Sequence, residues 1–275
     1  KLVMEEIEKI QDGIIDDKVI VRLIGDSVIV LCACIPISQV VLDSFSVLEA
    51  LNAFTASFAG VFCAIVSASG NVALGTSYAS LAVLSDSLFS ALLSGISKPA
   101  INAMCCMSFL SCFDIYDFSI KISKTVKTLY ISFLGFIATF FSGIVTLKGV
   151  LGAGADSLTS RGVKFVVGKT LPIVGGAVSE SYSALITSLS MIRNTVGVFG
   201  IITVLVTILP TVLQLSGWIM SLILTINIAE LTDSDKATGM INILKDSLVL
   251  LGATIIFSAV IFVVSVGVVI FIKGV

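Results

Sequence analysis

Three ionisable side chains stand in or beside long apolar tracts, where they could do chemistry: Asp86, Glu180 and Arg193. A charge at the centre of a membrane costs about 3 kcal/mol or more, so such residues often mark ion or proton pathways. Asp86 has no basic neighbour in the sequence nearer than Lys98. We therefore expect it to handle a cation or proton, or else to lie near the end of a span or bond to a neighbouring serine. Glu180 and Arg193 fit segment boundaries better than an ion pair.

Three lysines lie on one side of the most amphipathic part of the chain, residues 115–129. The apolar side chains in this part recur at 3-4-4-3 spacing, and the lysines fall opposite them. This pattern predicts a helix that lies in the membrane interface with its basic face toward headgroups. It serves as a plain connector or docks a cytoplasmic partner or anionic lipid, through Lys121, Lys124 and Lys127.

Small residues recur at helical spacing in two stretches. The first is a smooth stripe, one residue in every four, on which another helix can pack closely: Ala56, Gly60, Ala64 and Ala68. The second contains prolines and paired glycines, which predict a broken helix that forms a gate or lines a pore. Its residues are Gly168, Pro172, Gly175 and Gly176, with Pro210 as a further break downstream. The glycine-rich run 148–157 lacks the order of a nucleotide-binding loop, and we expect a flexible loop there.

Several kinds of chemistry are absent from the sequence. The chain has no histidine, which removes the usual general base and histidine-ligated metal sites. None of its six cysteines forms a CxxC pair, so zinc and iron–sulfur ligation are not indicated. A net charge of −2 gives no basic field for nucleic acid. We expect a protein without cofactor or metal that is not an enzyme.

The elements that position these residues follow from the composition. Of the 275 residues, 57% are hydrophobic and only 12% are charged, and the mean hydropathy is +1.14. Soluble domains carry about 25% charged residues, so the fold class is an all-α, polytopic membrane protein. We expect about seven membrane segments, with five to eight allowed and some of them broken or re-entrant. The charge-free tracts are 27–42, 50–85, 99–113, 128–147, 194–229 and 247–272.

The domain organisation predicted is a polar, acidic lead-in over residues 1–18 and one transmembrane domain over 19–275. Two matching Phe and Pro positions 111 residues apart suggest an internal repeat, about 19–128 and 129–240, followed by a membrane helix over 247–272. Basic residues flank the tract 128–147 on both sides, so either this tract is a re-entrant hairpin or one basic cluster lies outside. The lysine at position 1 suggests that an upstream segment is missing.

The stretch from Tyr130 to Gly200 resembles the stage III sporulation protein AE family of endospore-forming bacteria. The resemblance is specific over roughly residues 129–215 and includes the run RNTVGVFG and the apolar run to Pro210. Its central motif consists of Ala155–Asp156, Arg161, Lys164–Phe165, Gly168 and Pro172–Gly175.

This resemblance implies a multi-pass protein of the mother-cell membrane facing the forespore. Such a protein is a non-enzymatic, permease-like core or scaffold of the trans-envelope sporulation channel, and it is required for forespore development. The implied partners are other membrane and ring-forming proteins of that complex, including a cytoplasmic ATPase, besides the lipid bilayer and a possible homo-oligomer. The alternative from the residues alone is a free-standing secondary transporter with Asp86 as coupling carboxylate.

Overall fold

The chain is almost entirely helical in a computed structural model, which describes residues 17–111, 116–170, 175–231 and 235–271. No strand occurs among them. A π-helical turn, Ala91–Ser97, joins the second and third helices without a loop. The helices are α1 Asp17–Ala68, α2 Val72–Ser90, α3 Lys98–Leu110, α4 Tyr116–Thr170, α5 Gly175–Leu231 and α6 Asp235–Phe271.

Five helical stretches are long and apolar enough to cross a membrane. Lipid offers no partner for a backbone N–H or C=O, so an apolar run satisfies these groups by forming a helix. The prediction of an all-α membrane protein is confirmed, and five lies within the predicted range of segments. The stretches are Cys34–Ala68, Val72–Ser108, Phe118–Lys148, Ser183–Leu231 and Ala237–Phe271.

Helices α4 and α5 correct several finer expectations. The tract 128–147 lies within the unbroken helix α4, so the re-entrant hairpin is wrong. The glycine-rich run 148–157 belongs to the same helix, so the flexible loop is wrong too. Pro210 lies inside α5 and does not end it. The reason is that proline removes a single backbone donor. The apolar residues on both sides still satisfy their backbone hydrogen bonds best in a helix.

The amphipathic segment 115–129 was expected as a separate interfacial helix, but residues 116–129 form the first part of α4. The side of this segment that packs on the protein consists of small polar side chains. Ser119 and Ser123 are buried, whereas Phe118 and Leu129 are exposed. Small side chains let helices approach closely, so the serine face packs against the protein and the large apolar side chains remain available to lipid.

The described residues fall into two compact units, each made of three stretches of chain. Unit 1 takes its residues from 1–42, 99–130 and 214–251, and unit 2 from 43–98, 131–213 and 252–275. The units are interleaved along the sequence, whereas the expected repeat would divide it into consecutive halves. That repeat, the lead-in 1–18 and the domain boundaries remain predictions, and residues 1–16 lie outside the described part.

Unit 2 has a core built around a row of aromatic rings. Phe54, Phe58 and Phe62 are one helical turn apart on α1, with ring centroids 5.7 and 5.2 Å apart. Phe262 of α6 packs against Phe58 at 5.4 Å, and Tyr78 of α2 packs edge-on against Phe62 at 4.9 Å. The row therefore joins three helices through one continuous set of contacts.

A tight turn between α1 and α2 sets their antiparallel pairing in unit 2. Gly70 has φ +83°, a left-handed conformation that glycine adopts without a steric penalty. Its N–H donates to the carbonyl of Ser67 at 3.2 Å, and the N–H of Ser69 donates to that of Ile65 at 3.0 Å. These bonds satisfy the last carbonyls of α1, as at many helix ends that finish on glycine.

Candidate functional site

A polar groove in unit 2 brings Asp86 next to charged residues of another helix. Its volume is about 360 Å³. Helix α1 supplies residues spaced by three, four and seven, which places them on one face. Helix α2, the π-helical turn and the first residue of α3 form the other wall. The lining residues are Glu49, Asn52, Ala53, Ala56, Asp86, Ser90, Leu93 and Lys98.

The π-helical turn explains how Lys98 reaches the same groove as Asp86. The two residues are twelve positions apart, which in a regular α-helix leaves them about 120° apart around the axis. A π-helix bonds residue i to i+5 and so holds more residues per turn. Seven residues in this conformation, Ala91–Ser97, turn Lys98 back toward the face of Asp86.

Some charged side chains in the groove have an ion-pair partner among the described residues and others do not. Lys98 Nζ donates to Glu49 Oε1 at 2.8 Å and lies 5.6 Å from the centre of the Phe45 ring. Asp86 makes no ion pair with any residue that the structure describes. The side-chain oxygen Oδ1 of Asn52 is buried without a hydrogen-bond donor. Two carboxylates and one ammonium leave a formal charge of −1, so the groove favours a cation.

Arg193 is buried in unit 2, with 2% of its surface exposed. Its nearest polar contacts are long, 3.4 Å from Nε to Asn194 Oδ1 and 3.5 Å from Nη2 to Ser190 Oγ. Glu180 is exposed on the same helix, thirteen residues earlier, which is about 20 Å along a helix. The two residues therefore do not form a pair. The expectation that both mark segment boundaries is wrong for Arg193, which lies inside α5 and within its apolar stretch Ser183–Leu231.

The three predicted docking lysines differ in their surroundings within unit 1. Lys121 and Lys124 are exposed. Lys127 donates to Asp246 Oδ1 at 2.7 Å, and the two side chains are only 32% and 15% exposed. Lys127 is thus committed to an internal ion pair that ties α4 to α6, and a docking surface here consists of Lys121 and Lys124.

The small-residue stripe on α1 is not covered by the described part of the chain. Ala56, Gly60, Ala64 and Ala68 are all exposed, and a Cβ atom on Gly60 would meet no atom within 4 Å. Helix packing through this stripe therefore remains a prediction that concerns a partner. Ala56 also lines the polar groove, so the stripe continues from it.

The predicted gate lies where α4 ends and α5 begins. Gly168 is in the last turns of α4, and Gly175 and Gly176 are the first residues of α5. Pro172 lies outside the described residues. A gate or pore role for these residues and Pro210 remains a prediction.

Two groove residues, Glu49 and Asn52, were not predicted from the sequence. Glu49 directly precedes the charge-free tract 50–85, so it had the same signal as Asp86, a carboxylate adjoining apolar sequence. Asn52 and Ala56 follow it at spacings of three and seven, which marks one helix face. In the described residues no three His, Cys, Asp or Glu side chains come together as metal ligands.

Comparison with known proteins gives one consistent result. The model of a family described as stage III sporulation protein AE matches residues 19–273. The stage III sporulation protein AE of Bacillus subtilis (strain 168) is 21% identical over 170 residues, which are 62% of this chain and 43% of that protein. The chain thus matches less than half the length of this curated relative. No solved structure matches.

Proposed function

The chain belongs to the stage III sporulation protein AE family, and from that premise we propose that it is a membrane-embedded, non-enzymatic component of the channel complex between mother cell and forespore. The observation that carries this proposal is the family match over residues 19–273 together with five helices of membrane-spanning length. In this proposal the protein lies in the mother-cell membrane facing the forespore and forms a permease-like core or scaffold.

Two exposed surfaces support an assembly role. The stripe of Ala56, Gly60, Ala64 and Ala68 is smooth enough for a helix of another membrane protein or of a second copy. Lys121 and Lys124 carry positive charge without an ion-pair partner among the described residues. They suit an acidic surface of a ring-forming protein or a cytoplasmic ATPase, or anionic lipid.

The proposal is tested in a sporulating host that carries a tagged copy of this gene in place of its own. Deletion should leave engulfment complete but stop forespore development, and the tagged protein in mild detergent should co-purify with membrane and ring-forming sporulation proteins. Normal spores from the deletion strain, or recovery of the chain alone, would contradict the proposal.

A matched pair of variants then tests the docking stripe. Gly60→Leu places a large side chain on the stripe, whereas Gly135→Leu does so at an exposed glycine of α4 that also has no atom within 4 Å of a Cβ. We expect loss of co-purifying partners with Gly60→Leu and none with Gly135→Leu. Equal recovery from both variants would remove the stripe as a docking surface.

A second candidate function, a cation-coupled secondary transporter, is favoured by the groove. Asp86, Glu49 and Lys98 lie within membrane-length helices, and Asp86 lacks an ion pair among the described residues. In liposomes, Asp86→Asn should abolish proton- or sodium-driven flux, while Glu230→Gln, at an exposed acid near the end of α5, should leave it unchanged. Absence of flux with the wild-type chain would contradict the transporter function, and the role as a component of the complex would remain.

A further inference from the structure

Arg193 is a buried cation for which unit 2 supplies no counter-charge in its described part. Its residue surface is 2% exposed, and its Nη1 atom is buried without any hydrogen-bond partner. It forms no ion pair with a described residue. The guanidinium therefore carries a positive charge that no described residue balances.

The polar neighbours of Arg193 accept two long hydrogen bonds from it and keep donors of their own. Its Nε–H donates to Oδ1 of Asn194 at 3.4 Å, and its Nη2–H donates to Oγ of Ser190 at 3.5 Å. The hydroxyl proton of Ser190 and the amide N–H groups of Asn194 remain without an acceptor among the described residues. This single turn of α5 therefore presents one positive charge and three sets of donors: Arg193 Nη1, Ser190 Oγ–H and Asn194 Nδ2.

An uncompensated guanidinium among apolar side chains is unfavourable by several kcal/mol, because it loses its hydration without gaining an opposite charge. The described contacts of unit 2 give it no acid. Gly197, one turn later on the same face, packs directly against Ile270 and Phe62 and contributes no polar atom. The missing component at this turn is thus negatively charged and an acceptor of hydrogen bonds.

We propose that Arg193, Ser190 and Asn194 bind a small monovalent anion of the size of chloride. The small size follows from burial, because a lipid headgroup would have to carry its glycerol and acyl chains to a guanidinium that is 2% exposed. The bound anion neutralises Arg193 and allows this turn of α5 to remain packed within unit 2.

The experiment measures equilibrium binding of radioactive chloride to the purified full chain in a neutral detergent, with gluconate as the competing bulk anion. The wild type should bind one chloride per chain in a saturable manner. Arg193→Gln should abolish binding, and Arg193→Lys should retain it with roughly tenfold lower affinity, because lysine keeps the charge but loses the planar set of donors. Lys98→Gln, which removes a cation of the groove, should leave binding unchanged.

Ser190→Ala provides a second test that does not depend on the stability of the arginine variants. It removes one donor, and we expect chloride affinity to fall roughly fivefold. Absence of saturable binding in the wild type, or unchanged affinity in both Arg193→Gln and Ser190→Ala, would overturn the proposal. Displacement of chloride by stoichiometric phosphatidylglycerol would also overturn it, since the anion would then be a lipid phosphate.

Discussion

Unit 2 contains two faces of small residues that look alike in sequence and differ in the structure. On α1, Gly60 is exposed, and a Cβ atom built on it would meet nothing within 4 Å. On α5, Gly197 and Gly200 are buried against the aromatic row: a Cβ on Gly200 would lie 2.5 Å from Cζ of Phe58, and one on Gly197 would lie 2.6 Å from Cδ1 of Ile270.

The difference shows that small residues have two distinct uses in this chain. On α5 they allow a close approach that is already made within the unit, so they contribute to its stability. On α1 they leave a face open among the described residues, and we propose that a helix of a partner packs there. One substitution, glycine to alanine, separates the two uses, because it adds the same single methyl group at each position.

Gly200→Ala should have the largest effect. The added methyl would overlap three atoms of the Phe58 ring, and this ring is held between Phe54, Phe62 and Phe262 and cannot move aside. Overpacking costs typically 1–3 kcal/mol, and the better helix propensity of alanine offsets about 1 kcal/mol of it. We expect a net loss of about 1–2 kcal/mol in the free energy of unfolding, at the upper end because the ring is fixed, measured by SDS titration in mixed micelles. An unchanged unfolding midpoint would mean that α5 does not pack on the aromatic row.

Gly197→Ala should have a smaller effect of the same sign. Two of its three close contacts, at 2.6 and 2.8 Å, are the end of the Ile270 side chain, which can change rotamer. The third, Phe62 Cε2 at 3.2 Å, needs to shift by only a few tenths of an ångström. We expect a loss below about 1 kcal/mol in the same titration. A loss greater than that of Gly200→Ala would reverse the order that we assign to the two contacts.

Gly60→Ala should have the smallest effect on the isolated chain, and of the opposite sign. With no neighbouring atom to displace, the methyl only improves helix propensity, so the free energy of unfolding should rise by about 0.5–1 kcal/mol. Gly135→Ala, at an equally open position of α4, is the control and should behave alike. Destabilisation at Gly60 but not at Gly135 would show that the stripe is already packed in the purified protein.

The sequence was sufficient to predict the helical membrane class. Long tracts with few charged residues favour a lipid environment, and there the backbone N–H and C=O groups can hydrogen-bond only to each other, as in a helix. It also singled out Asp86 as a charge within apolar sequence, and the structure places this residue at the polar groove. It could not identify Glu49 as a groove residue, since a carboxylate at the edge of a tract has the same sequence environment whether it ends a helix or lies within one.

The breaks and faces of the helices were less predictable. Pro210 and the glycines of run 148–157 disfavour a helix locally. This cost is smaller than the cost of leaving the backbone N–H and C=O groups of the flanking apolar residues without hydrogen bonds. The apolar side chains of residues 116–129 were expected toward the membrane, and Phe118 and Leu129 are exposed, whereas the burial of Ser119 and Ser123 was not predicted. In this segment the serines pack, and the large side chains face outward.

The unbroken course of α4 has a consequence for how the chain enters a membrane. If its charge-free tract 128–147 crosses once, Lys121, Lys124 and Lys127 lie before the crossing, while Lys148, Arg161, Lys164 and Lys169 lie after it. One basic group must therefore be translocated to the outer side. A membrane potential of 100 mV, negative inside, opposes each such charge by about 2.3 kcal/mol. A single crossing of α4 thus places one basic group on the side that the membrane potential disfavours.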